Sequence, residues 1–240
     1  MNALENKTAY VTGGSKGIGF SVAEALMAEG VNVVLTSRHQ KAANGAADAL
    51  NAKGYPGKAL GLQADVRDLA AQEAAIALGL QEFGSIDVVV ANAGIGHFAP
   101  IQTMTTQQWQ DTIDINLTGV FNTVKASLPS LKESQGYLFT IASLAGTNFF
   151  AGGAAYNASK FGLVGFTQAM MLDVRQEGIK VSTIMPGSVA TYFNNHTPNP
   201  ADAWKIQPED IGQIVVDLLR LPARTLPSKV EVRPSMPPKK

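Results

Sequence analysis

A glycine-rich turn close to the N-terminus restricts this chain's fold more than any other feature. Thr12-Gly13-Gly14-Ser15-Lys16-Gly17-Ile18-Gly19 follows a short strand pattern, Thr8-Ala9-Tyr10-Val11. It runs directly into Ile18, Val22, Ala25, Leu26 and Glu29 at helical spacing, with Gly30 where a helix should stop. Strand, glycine turn and helix in that order form the opening unit of a nucleotide-binding sheet. Gly13 permits a tight turn, Gly17 lets backbone approach a pyrophosphate, and Gly19 lets the helix pack on the sheet. The helix N-terminus adds oriented N–H groups and partial positive charge, so Ser15, Lys16 and Ile18 fall within the same cradle. The spacing is Gly-x-x-x-Gly-x-Gly rather than Gly-x-Gly-x-x-Gly, and a glycine turn without a ligand is the bland alternative.

The rest of the chain repeats this rhythm. Strand patterns occur at 31–35, 59–63, 86–90, 137–141 and 180–184, with a short seventh at 230–232. Trp109, Ile113, Val120, Phe121, Val124 and Leu128 mark a long central helix, which Pro129 is expected to close. Leu163, Val164, Thr167, Met171 and Val174 mark another, ending before Gly178. Strands alternating with helices predict an α/β fold: a doubly wound, Rossmann-type parallel sheet in three layers. With 240 residues, no repeat and no linker, the whole chain reads as one domain, 1–240. A polar, proline-interrupted stretch at about 190–207 reads as a substrate lid, and 234–240 as a flexible tail.

Composition removes several function classes. Nineteen basic residues balance nineteen acidic ones, so nothing points to nucleic acid or an anionic membrane. There is no cysteine, which excludes disulfides and thiolate chemistry. His39, His97 and His196 lack metal-ligand spacing and read as loop or surface residues, so no metal is expected. No secretory signal or membrane-length apolar run is visible, and a cytoplasmic, soluble protein is the expectation.

The chemistry is carried by Tyr156-Asn157-Ala158-Ser159-Lys160, with Ser143 upstream after the fifth strand. Tyrosine and lysine four apart share a helix face. An unperturbed tyrosine has a pKa of about 10, and a nearby cation typically lowers an acid by about 1–3 units. Lys160 is expected to be that cation, making Tyr156 an acid/base, and the Ser143 hydroxyl can bind a substrate oxygen.

These motifs together resemble the short-chain dehydrogenase/reductase family, over about Lys7 to Thr191. The family's Asn-Asn-Ala-Gly after the fourth strand is matched by Ala91-Asn92-Ala93-Gly94, with alanine replacing the first asparagine. The resemblance implies that Asn92, Ala93 and Gly94 steady the sheet and line the cofactor site. It implies that Asp65 and Val66 contact adenine, and that Tyr156 is the acid/base. Lys160 is implied as pKa modifier and ribose ligand, Ser143 as substrate-oxygen donor, and Asn116 as part of a water-mediated proton relay through Lys160. Pro186-Gly187-Ser188-Val189-Ala190-Thr191 is similar to the family's nicotinamide segment, so Pro186, Gly187, Val189 and Thr191 are implied to meet that ring.

Ser37 and Arg38 end the second strand where an NAD site places an acid. A carboxylate would repel a 2′-phosphate, whereas a guanidinium suits one. Arg38 with Lys16 therefore predicts NADP(H). The expected reaction is hydride transfer between NADP(H) and a carbonyl or secondary alcohol, as a ketone or 3-oxoacyl reductase. The general resemblance is to 3-oxoacyl-carrier-protein reductases and carbonyl reductases, yet Val230-Glu231-Val232-Arg233-Pro234 lacks the Asp-Gly-Gly ending common among the former. Tyr192, Phe193 and Trp204 are expected in the lid, and Leu144, Ala145, Phe149 and Phe150 are candidate apolar walls. An idle NADP-binding regulatory protein and a sugar-nucleotide epimerase or dehydratase are the competing functions. Apolar faces around Trp109–Leu128 and Leu163–Val174 can pair two copies, as in a homodimer or homotetramer.

Overall fold

Successive residues of each inner strand point into opposite cores, and this alternation builds the molecule. A computed structural model describes residues 4–238. Its strands are β1 (Thr8–Val11), β2 (Asn32–Ser37), β3 (Ala59–Gln63), β4 (Val88–Ala91), β5 (Tyr137–Ile141), β6 (Lys180–Pro186) and β7 (Lys229–Val232). All pair in parallel, in the order β3-β2-β1-β4-β5-β6-β7. The intervening helices are α1 (Gly17–Ala28), α2 (Gln40–Asn51), α3 (Leu69–Phe83), α4 (Thr106–Ile113), α5 (Gly119–Ser134), α6 (Ala154–Val174) and α7 (Pro208–Leu219).

Ala9, Val11, Val33, Leu35, Val88 and Val90 join a core with Leu26, Leu50 and Val215, that is, with α1, α2 and α7. Their neighbours Tyr10, Val34 and Val89 join a second core with Ile76, Val124 and Leu163, from α3, α5 and α6. Period-two alternation with apolar residues on both faces is what a sheet covered on both sides requires. Each fully buried valine or leucine contributes about 1.5–3 kcal/mol relative to exposure. This is a single domain of the doubly wound, Rossmann type. Among the described residues no helix is long and apolar enough to cross a membrane.

Strand order reverses between β1 and β4. In such sheets a crevice opens beyond the C-terminal strand ends at the reversal. The segments following β1 through β6 all emerge on that edge.

Two sequence expectations need correction. The central helix is not closed by Pro129, which lies inside α5. Proline removes one N–H and displaces the carbonyl four residues back. That residue is Lys125, which is exposed, so its carbonyl can turn to water while Val120, Val124 and Leu131 hold the buried face. The same helix is also not uniform: Asp114–Thr118 forms a π-helical turn between α4 and α5. The expected tail, 234–240, runs past the described residues at 239 and 240. At its start, Pro234 Cδ lies 3.2 Å from where a Cβ on Gly187 would stand.

Candidate active site

The glycine turn is held from below by Asn92. Its side-chain amide donates to the carbonyls of Thr12 (2.9 Å) and Gly13 (3.2 Å). In return, Thr12 Oγ1 accepts from the backbone N–H groups of Asn92 and Ala93. Gly13 and Gly17 have φ of +64° and +58°, in the left-handed region that glycine adopts without strain. A Cβ on Gly19 would stand 2.5 Å from Asn92 Nδ2 and 2.6 Å from the Gly13 carbonyl, so no side chain fits there.

Above this turn, α1 begins without a cap. Lys16 at the N-cap is extended, makes no side-chain bond to the helix, and no acid occupies the first turn. The α3 and α4 N-termini are capped by Asp68 and by a Thr105–Gln108 box. Uncapped N–H groups carrying the helix's partial positive charge suit an anion such as a pyrophosphate. A cleft of about 620 Å³ lies beside this turn, with Ser15, Lys16 and Gly17 on one side and Ala190, Thr191 and Tyr192 on the other. The residues present therefore fit a dinucleotide.

The ends of β2 and β3 carry the residues expected to meet adenine and its ribose. Ser37 ends β2, and Arg38 is exposed beside it. Asp65 is gripped by Arg67, whose Nη2 lies 2.6 Å away. That bond first, with further help from the Arg38 charge, holds its carboxyl below the usual range. Val66 packs against Gly119 at the start of α5 and offers its carbonyl to Asn122 (2.9 Å). Lys16 stands over the Tyr192 ring, 5.8 Å from its centre.

Helix α6 carries Tyr156 and Lys160 on one face. Lys160 is buried and its Nζ donates to the Ile141 carbonyl at the end of β5 (3.0 Å). Burial lowers its pKa to about 8. Ser143 follows β5, caps the turn Leu144–Gly146 through Ala145 N, and donates to the Pro186 carbonyl at 3.4 Å. Burial raises the Tyr156 phenol above its ordinary value, and the Ser143 hydroxyl opposes this by hydrogen bonding. The expectation that Lys160 lowers Tyr156 is thus corrected. The Lys160 Nζ gives one N–H to the Ile141 carbonyl and stands 5.7 Å from the ring centre, while desolvation of the phenolate dominates.

Asn116 sits in the π-helical turn, and the extra residue there turns its amide inward. Its Oδ1 accepts from Ile95 N (2.8 Å), and its Nδ2 donates to the Ile95 carbonyl (2.9 Å) and to Ser159 (3.0 Å). Gly94 lies between Asn116 and Lys160: a Cβ there would be 3.3 Å from Oδ1 and 3.7 Å from Nζ. π-Turns inside helices recur at functional sites.

After β6, Gly187 N donates to Val232 O, and Val189 bridges to Ile206. Thr191 is buried and accepts from Phe193 N (3.3 Å). Of the three aromatics expected in the 190–207 stretch, Phe193 alone is seen against the Tyr156 ring, 5.7 Å between centres. Tyr192 lies under Lys16, and Trp204 under Lys205. Phe149 is 86% exposed and is no wall, whereas Phe150 packs on Phe98. The sequence reading missed Phe98, Arg67 and the buried Asp202, which binds His196 and Lys205. A phenylalanine four residues after the fourth-strand motif, in the loop Ile95-Gly96-His97-Phe98-Ala99-Pro100, was the available signal for Phe98.

Known proteins are similar to this chain in sequence and in fold. The short chain dehydrogenase family profile covers residues 7–201. A 3-oxoacyl-[acyl-carrier-protein] reductase of Salmonella typhimurium is 37% identical over 190 residues, 79% of this chain and 76% of that protein. A glycine betaine reductase of Emericella nidulans is 31% identical over 96% of this chain, which spans 19% of that much longer protein. Among solved structures, an alcohol dehydrogenase from Thermococcus sibiricus complexed with 5-hydroxy-NADP superposes with a TM-score of 0.88 at 28% identity, covering 98% of this chain and 99% of the other. A metagenomic short-chain oxidoreductase in complex with NADP gives 0.83 at 33% identity, covering 98% and 99%.

Proposed function

The chain belongs to the short-chain dehydrogenase/reductase family of oxidoreductases, and from that premise we propose that it is an NADP(H)-dependent carbonyl reductase, interconverting a ketone and a secondary alcohol. One observation carries this reading: Tyr156, Lys160, Ser143 and Asn116, from α6, the end of β5 and the π-turn, converge on the sheet edge that also holds an uncapped glycine turn. The bound cofactor supplies or accepts the hydride.

The chain's own groups do the rest. Ser143 Oγ holds the carbonyl oxygen. Tyr156 keeps its proton at neutral pH, because burial raises its pKa, and delivers that proton as negative charge grows on oxygen. Lys160, charged below about pH 8, keeps two N–H donors beyond its Ile141 bond and binds the ribose hydroxyls with them. Asn116 commits both amide hydrogens to Ile95 and Ser159, and its Oδ1 keeps a lone pair toward the Gly94 side for a relay water. Gly13, Ser15, Gly17, Ile18 and Gly19 bind the pyrophosphate. Asp65 and Val66 take adenine, and Pro186, Gly187, Val189 and Thr191 take the nicotinamide. Asn92, Ala93 and Gly94 form the floor.

Arg38, with Lys16, is assigned the 2′-phosphate, since no acid stands at the end of β2. The 5-hydroxy-NADP and NADP held by the two structural neighbours support this assignment. The loop at about 190–207 acts as the lid on this single domain. Trp109, Phe121, Phe161 and Leu172, exposed on α4 to α6, are the apolar surface for a second copy.

The test is oxidation of NADPH and of NADH with a panel of dicarbonyls and keto esters, before and after Arg38→Asp. The expected result is turnover that prefers NADPH and shifts toward NADH in the variant. Turnover with no preference in the parent contradicts the cofactor assignment, and no turnover contradicts the reductase reading.

A further inference from the structure

Three phenylalanine rings from three separate segments cluster near Tyr156, Phe98 and Phe193 against it and Phe150 behind Phe98. Phe98 meets Tyr156 edge-on, with centres 5.3 Å apart and planes at 66°. Phe193 lies 5.7 Å from Tyr156 and 6.3 Å from Phe98, and Phe150 lies 5.8 Å from Phe98. We propose that Phe98, Phe150 and Phe193 form the specificity wall, and that the substrate is an uncharged carbonyl compound bearing a flat apolar group, such as an aryl ketone or aryl diketone. A keto acid would bring an unpaired carboxylate to this wall, and a 3-oxoacyl chain has no flat group to lie against it. The inference rests on the reading of Tyr156 as the proton donor to a carbonyl.

Exposure separates these rings from core packing. Phe139 in β5 is 0% exposed, whereas Phe98, Phe150 and Phe193 are 40%, 47% and 37% exposed. Unlike Phe139, none of the three is enclosed by the core. These instead present apolar faces beside the phenol. Gly96 seats two of them: a Cβ there would stand 2.6 Å from Phe193 Cζ and 2.8 Å from Phe98 Cζ. Any side chain at that position would push the wall apart.

Phe193 is brought in by polar loop chemistry rather than by the core. Asn194 and Asn195 have φ of +53° and +59°, left-handed values that asparagine tolerates. They turn the chain directly after the ring. His196 Nε2 then binds Asp202 Oδ2 at 2.5 Å, and Asp202 is itself buried and also held by Lys205 at 2.6 Å. The ring's approach to Tyr156 is therefore specified by the loop's own clasp.

Charge settles the substrate class. Aromatic faces carry negative quadrupole density. Among the described residues no lysine or arginine stands over Phe98, Phe150 or Phe193; the nearby cations stand over Tyr156 and Tyr192. A carboxylate against this wall would lose water without gaining a charged partner. An aryl group would gain offset or edge-on contacts with three rings.

The test compares 1-phenyl-1,2-propanedione, 2,3-butanedione, phenylglyoxylate and the acetoacetyl thioester of N-acetylcysteamine, each with NADPH, in the parent, Phe193→Ala and Phe98→Ala. Binding of the two diketones is measured alongside by saturation-transfer NMR without turnover. The parent is expected to favour the phenyl diketone over 2,3-butanedione by at least about tenfold in kcat/KM, the scale of a well-filled apolar pocket. It should disfavour phenylglyoxylate and the thioester. Phe193→Ala should cut the preference by about tenfold, mainly through KM. A preference for phenylglyoxylate or the thioester, or discrimination unchanged in both variants, overturns the proposal. If none of the four is reduced, the reductase reading fails, and the NMR preference between the diketones then decides the wall on its own.

Discussion

The glycine-turn side of the cleft and the loop side face the same cavity but are built by opposite means. On the glycine side, backbone meets backbone: Gly19 has no room for a Cβ, and Asn92 ties the Thr12 and Gly13 carbonyls to β4. On the loop side, shape depends on side chains: Asp202 gathers His196, Lys205 and the Asn199 N–H, and Phe193 rests half-exposed on Gly96. A site for a group common to many enzymes can be fixed by main chain. A site that must choose a substrate is left to side chains, which can vary without disturbing the sheet.

The contrast can be broken most severely on the glycine side. Gly19→Ala forces a Cβ against Gly13 O and Asn92 Nδ2, an overpacking cost of about 1–3 kcal/mol. NADPH affinity should drop about 10²-fold as the turn shifts, measured by fluorescence titration with denaturant unfolding alongside. Unchanged affinity would mean that the turn is not the pyrophosphate site.

A pH series tests the catalytic floor. Lys160 titrates at about 8, so kcat/KM for NADPH should be flat below that value and fall about tenfold per pH unit above it, as the amine loses its charge. The sign for stability is opposite. A lysine whose folded pKa is depressed opposes folding while it is protonated, so its penalty is full below about 8 and fades as pH rises toward 10.5. Loss of the limb in Lys160→Met, with cofactor still bound, would assign it.

A milder break is expected at the loop. Asp202→Asn weakens the clasp and should raise KM for the carbonyl at most about fivefold, the scale of one partly screened pair, with NADPH affinity unaltered. Asp202 is held well below the usual carboxylate range, first by Lys205 and then by His196. Its folded value lies below its unfolded one, so the clasp is intact at neutral pH and is lost only as pH falls into the acidic range through the carboxyl's titration. A shift in NADPH affinity equal to that in KM would erase the distinction between the two sides. The smallest effect belongs away from both. Gly45 lies exposed in α2 with nothing within 4 Å of a Cβ, so Gly45→Ala should add about 0.5–1 kcal/mol by denaturant titration and leave kinetics alone.

The same contrast decided what could be read from sequence. β1, β3 and β5 carry buried or alternating apolar runs with clear breaks, and they lie at the expected bounds. β4 starts at Val88 rather than Ile86, since Ile86 is buried but precedes the paired ladder. The glycine turn was legible because a backbone site leaves glycines behind. Pro129 misled because local propensity yields where a helix keeps its apolar face and the displaced carbonyl meets water. The π-turn at Asp114–Thr118 has no sequence signature, although it is what aims Asn116 at Ile95. The direction of the Tyr156 shift was misread because spacing reports proximity, whereas desolvation depends on what surrounds the phenol. Phe98 and Phe193 meet Tyr156 only through tertiary folding, so this ring cluster could not be assembled from spacing.

One measurement bears most directly on the central claim that Tyr156 is the proton donor of an NADP(H)-dependent oxidoreductase. NADPH binding and carbonyl-dependent NADPH oxidation are compared in the parent and in Tyr156→Phe. The account predicts unchanged NADPH affinity with turnover lowered by about 10²–10⁴-fold, the usual range for losing a general acid. Turnover that survives without the phenol hydroxyl would contradict it.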